Sequence, residues 1–256
     1  MTPMNHRIDR FKTALQQRRA VKAIAGIANF DLENVLAVAR AAEATGTDAI
    51  DVAARKDIVA ADRQAAPETF VFASSVSPDE LVAAIEAGAD GVELGNFDAL
   101  YKEGLFYTAD DVLKLAEETV LLVNGRALVS VTIPGHLSTS AQLQLLKALE
   151  TLGVDVIQTE GAIRLLDGNK VKALLADEKA QVTFANTQLL ASATKLPVMT
   201  ASGLDAHNVA IAFTHGASAV GIGSAINALE NQGAMEAVLV SIVAQAKHGR
   251  MVAAVS

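Results

Sequence analysis

A chain of 256 residues with 51% hydrophobic side chains can bury one large core, and that length suits a single α/β barrel as well as two small domains. The absence of cysteine excludes disulfides, a thiol nucleophile and cysteine-held zinc or iron–sulfur clusters, and a formal charge of -8 argues against a general nucleic-acid binder. Aromatics make up only 4%, with no tryptophan, so core volume comes from Ala, Val, Leu and Ile, and no apolar run is long enough to span a bilayer.

The N-terminal stretch HRIDRFKTALQQRRAVK is basic and poor in acids, a composition shared with transit peptides. Ile8, Phe11 and Leu15 nevertheless recur at helical spacing and predict a helix within residues 1–18 that closes the bottom of a barrel. The first strand is expected over 21–25, followed by a turn at Gly26-Ile27-Ala28-Asn29 and a helix capped by Asp31 and ended by Gly46. A second strand over 49–52 leads into a short polar segment with room for a helix of a few turns. A third over 70–73 precedes Ser77-Pro78-Asp79-Glu80, which reads as a capping box with proline at the first helical position. The fourth strand, 91–94, runs into Gly95-Asn96-Phe97-Asp98 and then a helix capped by Thr108 with Asp111 and ended at Asn124-Gly125.

The fifth strand, 127–133, stops at Pro134, and Thr139 with Gln142 opens the next helix. The sixth, 155–158, turns at Thr159-Glu160-Gly161. Residues 161–181 are then irregular and read either as a lid inserted on the upper rim or as a small structural excursion, with a helix expected around 185–193. The seventh strand, 197–200, and the eighth, 219–222, end in Ala201-Ser202-Gly203 and Gly223-Ser224. Helices are expected from near Asp205, directly after Ser224, and over 234–247.

Eight strand–helix units predict one (β/α)8 TIM barrel spanning 1–256. An open doubly wound sheet, the alternative, would place a phosphate turn after strand one, where Gly26-Ile27-Ala28-Asn29 lacks the glycine triplet. Junctions such as Gly88-Ala89-Asp90-Gly91 and Gly153-Val154-Asp155 fall on the bottom face and read as stability features. The echo of Asn29-Phe30-Asp31 in Asn96-Phe97-Asp98 reads as two Asp-started helices with a packed Phe, both asparagines lying on the upper rim.

The two turns ending strands seven and eight are the expected phosphate site, because small residues before a helix let an anion approach partnerless backbone N–H groups. Ser202, Gly203, Gly221, Gly223 and Ser224 are its candidates, with Asn29, Asn96 and Thr132 as further ligand contacts. The candidate catalytic groups are polar residues near strand ends. Glu93 and Glu160 precede glycine turns and read as rim carboxylates carrying little packing. Lys22 and Asp51 lie mid-strand and read equally as catalysts or as members of a structural ion pair inside the barrel. His136 and His207 read as rim or helix-surface residues. No zinc pattern is present, and Mg²⁺ held by Asp51 and Glu93 is the one cofactor these residues suggest.

At GVELGNFD (91–98), SVTIP (130–134), QTEG (158–161) and TASGL (200–204) the chain resembles the hypothetical chloroplast reading-frame family of cyanobacteria and algal plastids. The resemblance runs from about Val21 to the C-terminus. It implies a barrel similar to the ribulose-phosphate-binding group, and a cytoplasmic location that becomes the plastid stroma in plastid-encoded relatives; it brings no activity with it. Where relatives carry Val-Pro-His-Thr after strand five, this chain has Ile133-Pro134-Gly135-His136, so His136 is out of register with that histidine. The resulting expectation is a barrel acting on a small phosphorylated metabolite by acid–base isomerase, epimerase or lyase chemistry, with a homodimer as the assembly and no nucleic-acid or membrane partner. A non-catalytic phosphometabolite sensor or scaffold is the alternative.

Overall fold

Short runs rich in Val, Ile and Ala alternate with helices along the whole chain, and in the computed structural model, which describes residues 3–163, 172 and 174–253, they close on themselves. The order is α1 (Pro3–Gln16), β1 (Ala20–Gly26), α2 (Leu32–Thr45), β2 (Ala49–Ala53), α3 (Lys56–Ala65), β3 (Phe70–Ser75), α4 (Pro78–Glu86) and β4 (Gly91–Leu94). Two 3₁₀ turns (Phe97–Ala99 and Tyr101–Glu103) lead to α5 (Ala109–Val123), β5 (Leu128–Thr132), α6 (Thr139–Leu152), β6 (Val156–Gln158) and α7 (Ala176–Ala191). The chain ends with β7 (Val198–Ala201), α8 (Val209–Thr214), β8 (Ala219–Ile222), α9 (Ser224–Asn227) and α10 (Gln232–Ala253). All neighbouring strands are parallel, and β1 pairs with both β2 and β8, giving the closed (β/α)8 barrel. Among the described residues no helix is long and apolar enough to cross a membrane.

Strand alternation divides the apolar residues into two cores. Val21, Ala23, Ile50, Val52, Val71 and their equivalents face outward under the helices. Ala20, Ala49, Phe70, Phe72, Leu128, Val156, Met199 and Ala219 belong to a second cluster with α1. Phe11 of α1 stacks on Phe70 with ring centroids 4.6 Å apart and meets Phe72 edge-on at 5.4 Å, so α1 seals that end of the barrel.

The acidic junctions of the bottom face do a repeated job. Asp48, Asp90 and Asp155, each just before an even-numbered strand, accept the backbone N–H of Val21, Val71 and Val129 on the preceding strand. Asp90 additionally takes three hydrogen bonds from Arg7 and one from Arg63. These contacts pin the strand starts, so the other end of the barrel is where the loops are free to build a site.

Local expectations fail at several points. Ser77 makes no capping bond; Glu80 is bonded instead by Ser75 Oγ at 2.5 Å, and Ser75 Oγ also accepts the N–H of Ser77. The Thr108–Asp111 capping box is present. At the start of α6 the cap is Ser138, and the Gln142 amide donates to the Leu137 carbonyl rather than capping. The α7 helix starts at Ala176, well before 185, which leaves 161–175 as the connection; residues 164–171 and 173, the centre of the expected lid, lie outside the described residues. After β7 no helix forms at Asp205; its carboxylate accepts the N–H groups of His207 and Asn208 in a turn, and α8 begins at Val209. The two Asn-Phe-Asp segments are not equivalent, because Phe97 is buried whereas Phe30 is 56% exposed beside Arg55.

Candidate functional site at the C-terminal mouth of the barrel

Above the aromatic plug the barrel interior turns polar. Lys22 of β1, Asp51 of β2, Ser74 of β3, Glu93 of β4, Ser130 and Thr132 of β5 and Gln158 of β6 are all buried. Lys22 Nζ lies 2.6 Å from Glu93 Oε2 and 5.1 Å above the Phe72 ring centroid. Ser130 Oγ donates to the same Glu93 oxygen at 3.0 Å, and Gln158 Nε2 donates to Oε1 at 2.6 Å. Asp51 accepts from Ser74 Oγ and from Asn96 Nδ2 at 3.1 Å, and Thr132 Oγ1 accepts from Gln158 Nε2 and the Asn96 N–H. One lysine thus stands among two carboxylates, and the one without a direct bond to it is Asp51. Burial pushes Asp51 up to about 7; Glu93 adds to the rise, while Lys22 and the hydrogen bonds from Ser74 and Asn96 oppose it.

Glu93 is therefore no rim residue. Strand parity points it into the barrel beside Lys22, where it has no solvent exposure. The expectation that it carries little packing is corrected, and so is the Mg²⁺ arrangement. The Lys22 ammonium, the Ser130 and Ser74 hydroxyls and the Gln158 and Asn96 amides fill the carboxylate oxygens a metal would need. No group of three or more Asp, Glu or His among the described residues is placed to hold a metal ion.

Glu160 is the second correction. It is 2% exposed, and its carboxylate reaches across the loops that follow β4 and β5. Oε1 accepts the Asp98 N–H at 2.7 Å, while Oε2 accepts the Gly135 N–H at 3.1 Å and the Tyr101 hydroxyl. His136 Nδ1 lies 3.0 Å from that hydroxyl. Burial first, then the nearby Asp98 charge, pushes Glu160 up to about 8. His136 joins this cluster rather than the free rim, and His207 is exposed in the turn before α8.

Over this polar layer opens a cavity of about 480 Å³. Its wall holds Ser202 and Gly203 after β7, Gly221, Gly223 and Ser224 at the end of β8, Asn29 after β1 and Asn96 after β4. The two glycine turns thus meet in one space, whereas Thr132, Glu93, Glu160, Lys22 and Asp51 stay out of its wall. Neither turn opens a long helix: α8 starts six residues after Gly203, and α9 is four residues long. The helix dipole expected to favour an anion is correspondingly small, and the burden shifts to turn amides and side chains. Ser202 has φ 90° ahead of Gly203 at φ 74°; a left-handed serine is costly and is retained where surrounding structure enforces it.

Two cavity residues escaped the sequence reading. Lys179 of α7 and Asp98, in the turn after Asn96, both line the cavity and form an ion pair at 2.9 Å. Asp98 Oδ2 also receives Ser202 Oγ at 3.4 Å. Lys179 lies in the stretch 161–181, which the sequence presents as a lid or a structural excursion. Asp98 was visible in the GNFD motif, but only as a helix starter.

With this geometry established, comparison with known proteins places the chain. A family model described as a protein of unknown function, DUF561, matches residues 4–251. The chain belongs to that family. A relative from Cyanophora paradoxa, described as uncharacterized protein ycf23, is 38% identical over 231 residues, which cover 89% of this chain and 91% of the relative. Among solved structures, 3-hexulose-6-phosphate synthase from Salmonella typhimurium superposes with a TM-score of 0.62 at 14% identity, covering 91% of this chain and 99% of that one. Thiamine phosphate pyrophosphorylase from Pyrococcus furiosus gives 0.58 at 18% identity, covering 91% and 98%. At those identities the likeness is one of fold: this DUF561 family member shares the barrel of enzymes whose names carry phosphorylated compounds.

Proposed function

We propose that the protein binds a small phosphorylated metabolite at the mouth of the barrel and acts on it by acid–base chemistry of the isomerase, epimerase or lyase type. The observation that carries this reading is the joining of the Ser202-Gly203 and Gly223-Ser224 turns in one cavity with the Lys179 ammonium beside them. The phosphate lies between the turns, held by backbone N–H groups and by Lys179, at the position after strands seven and eight where barrels of this class recur to phosphate. The fold neighbours named for hexulose 6-phosphate and thiamine phosphate chemistry support the same ligand class.

Among the described residues in the cavity wall the ionisable ones are Asp98 and Lys179. Asp98 is the candidate base for a C–H proton beside a carbonyl, and Lys179 the cation that offsets the charge developing on that oxygen or on the phosphate. Lys22, Asp51, Glu93 and Glu160 then act behind the wall: Asp51 holds Asn96 directly, Glu93, paired with Lys22, reaches it through Gln158, and Glu160 fixes the Asp98 backbone. The burial of those four equally favours a second reading, a sensor without turnover.

Melting temperature with inorganic phosphate and with a ketose phosphate tests the binding step. Wild type is expected to melt higher with ligand, since a ligand at 100 times its Kd stabilises by about 2.7 kcal/mol. Gly223→Asp should abolish the shift while the unliganded protein melts as before. A side chain fits there, because Gly223 has φ -115° and an added Cβ meets nothing nearer than Ile24 at 3.7 Å. Gly203 is unsuitable for the test, since a Cβ there would lie 2.7 Å from the Ala180 nitrogen. No shift in wild type, or a full shift in the variant, removes the phosphate site. Exchange of the ketose phosphate's α-hydrogens for deuterium in D₂O, followed by NMR, then separates enzyme from sensor: the enzyme exchanges them above the buffer rate, and the sensor does not.

A further inference from the structure

The polar layer beneath the cavity ends in one acceptor that no donor among the described residues meets. Gln158 is 1% exposed, and its Oε1 has no hydrogen-bond partner among them. Neighbouring groups dictate its orientation. Asp51 Oδ2 draws Asn96 Nδ2 to 3.1 Å, which turns Asn96 Oδ1 toward Gln158. Gln158 presents Nε2 to that oxygen at 3.1 Å, to Thr132 Oγ1 at 3.1 Å and to Glu93 Oε1 at 2.6 Å. Reversing the amide would set its oxygen against the Glu93 carboxylate and the Asn96 oxygen, so Oε1 is forced to the other side.

What Oε1 faces there is Gly221. A Cβ added at that glycine would lie 3.7 Å from Oε1, between Ile24 Cδ1 at 2.8 Å and Ala201 Cβ at 3.1 Å. Gly221, Ile24 and Ala201 all line the cavity. A glycine inside a strand is a weak choice for the sheet and marks a place where something must come close. A buried acceptor left without a donor is costly, and a site built around one discriminates strongly in favour of the ligand that brings the donor.

We propose that Gln158 Oε1 recognises a hydroxyl on the carbon chain of the ligand, so that the site selects polyhydroxylated phosphate esters over plain alkyl phosphates. This rests on the phosphate reading above. Gly221 precedes Gly223 by two strand residues, roughly 7 Å at the usual rise. That span matches the reach from a phosphate between the turns to a hydroxyl on the second or third carbon of its ester. The hydroxyl enters over Gly221 by displacing Ile24 Cδ1, the end of a flexible side chain.

Calorimetric titration with inorganic phosphate, glycerol 3-phosphate and propyl phosphate tests this. Wild type is expected to bind glycerol 3-phosphate at least about tenfold more tightly than propyl phosphate, the scale of one well-made hydrogen bond to a buried group. In Gln158→Met and in Gly221→Ala the two esters should bind equally. Gly221→Ala removes no member of the amide network and fills the approach once Ile24 Cδ1, 2.8 Å from the new Cβ, swings aside, so it decides the matter if Gln158→Met does not fold. Equal affinity for both esters in wild type, or an undiminished preference in Gly221→Ala, overturns the role of Gln158 and leaves phosphate binding standing. If none of the three compounds binds, the phosphate reading fails and the inference falls with it.

Discussion

Replacing Glu93 with Leu is expected to lower the unfolding free energy by about 3–5 kcal/mol, the usual effect of removing one member of a buried ion pair. Lys22 has no solvent exposure, so its ammonium loses the Glu93 oxygen 2.6 Å away and is left with the Phe72 ring beneath it and the attraction of the Asp51 carboxylate. Ser130 Oγ loses its acceptor at the same time, and Gln158 Nε2 loses one of its three. Removing the lysine as well, in Lys22→Met with Glu93→Leu, should recover most of the loss, because the pair is then replaced by apolar side chains of similar volume. A residual cost of about 1–3 kcal/mol remains for the stranded Ser130 hydroxyl. Urea unfolding of wild type, both single variants and the double variant closes the cycle, and a favourable coupling energy of several kcal/mol is the expected outcome. A Glu93→Leu protein within about 1 kcal/mol of wild type, on the scale of exposed pairs, would show that the pair does not hold the barrel. A double variant as unstable as the sum of the singles would show that the two residues act independently.

This pair also marks where sequence reading stops working. The strands could be read because each is a short apolar run closed by a small-residue turn, and β8 differs from the reading at neither end. The turns at Ser202-Gly203 and Gly223-Ser224 could be read for the same reason: a turn is local chemistry. Whether a polar residue near a strand end faces the barrel axis or the rim depends on parity counted from a bottom layer that only the closed structure defines. Val156 faces inward with the aromatic plug, so Gln158 two residues on also faces inward; Glu160, past the end of the strand, swings across to the neighbouring loops. Lys179 was hidden for another reason. The inner face of α7 carries Thr183 and Thr187, which bury their hydroxyls by donating to the carbonyls four residues back. Written as a sequence, that face looks polar, and the first turns of the helix disappear into what reads as a loop.

The stability of the protein is expected to fall as pH rises from about 5 to 8, and Glu160→Gln to remove a large part of that slope. Glu160 is pushed up to about 8 by burial and by Asp98. Below the ordinary carboxyl range both folded and unfolded chains carry this proton. Between that range and about 8 the unfolded chain releases it and the folded chain keeps it. The folded state then binds more protons, so each such group lowers stability by about 1.4 kcal/mol per pH unit across its window. Asp51 and Asp62, both pushed up to about 7 by burial, act in the same direction; among the described residues Asp62 has no hydrogen-bond partner for either oxygen. The loops can accommodate a neutral Glu160. The protonated acid donates to the Tyr101 oxygen, and the Tyr101 hydroxyl turns to His136 Nδ1, 3.0 Å away, reversing a two-bond chain without moving heavy atoms. An amide cannot do this. Glutamine sets an N–H₂ against either the Asp98 or the Gly135 N–H, both of which Glu160 accepts, so the variant should be less stable than wild type at pH 5 by about 1–3 kcal/mol. Its deficit should shrink by about 1.4 kcal/mol per pH unit, reverse sign before pH 8 and then level off. Urea unfolding at unit steps from pH 5 to 9 measures both curves. If they run parallel, Glu160 is already ionised in the folded protein, and its carboxylate holds Asp98 in place as a charged group rather than as a neutral acid.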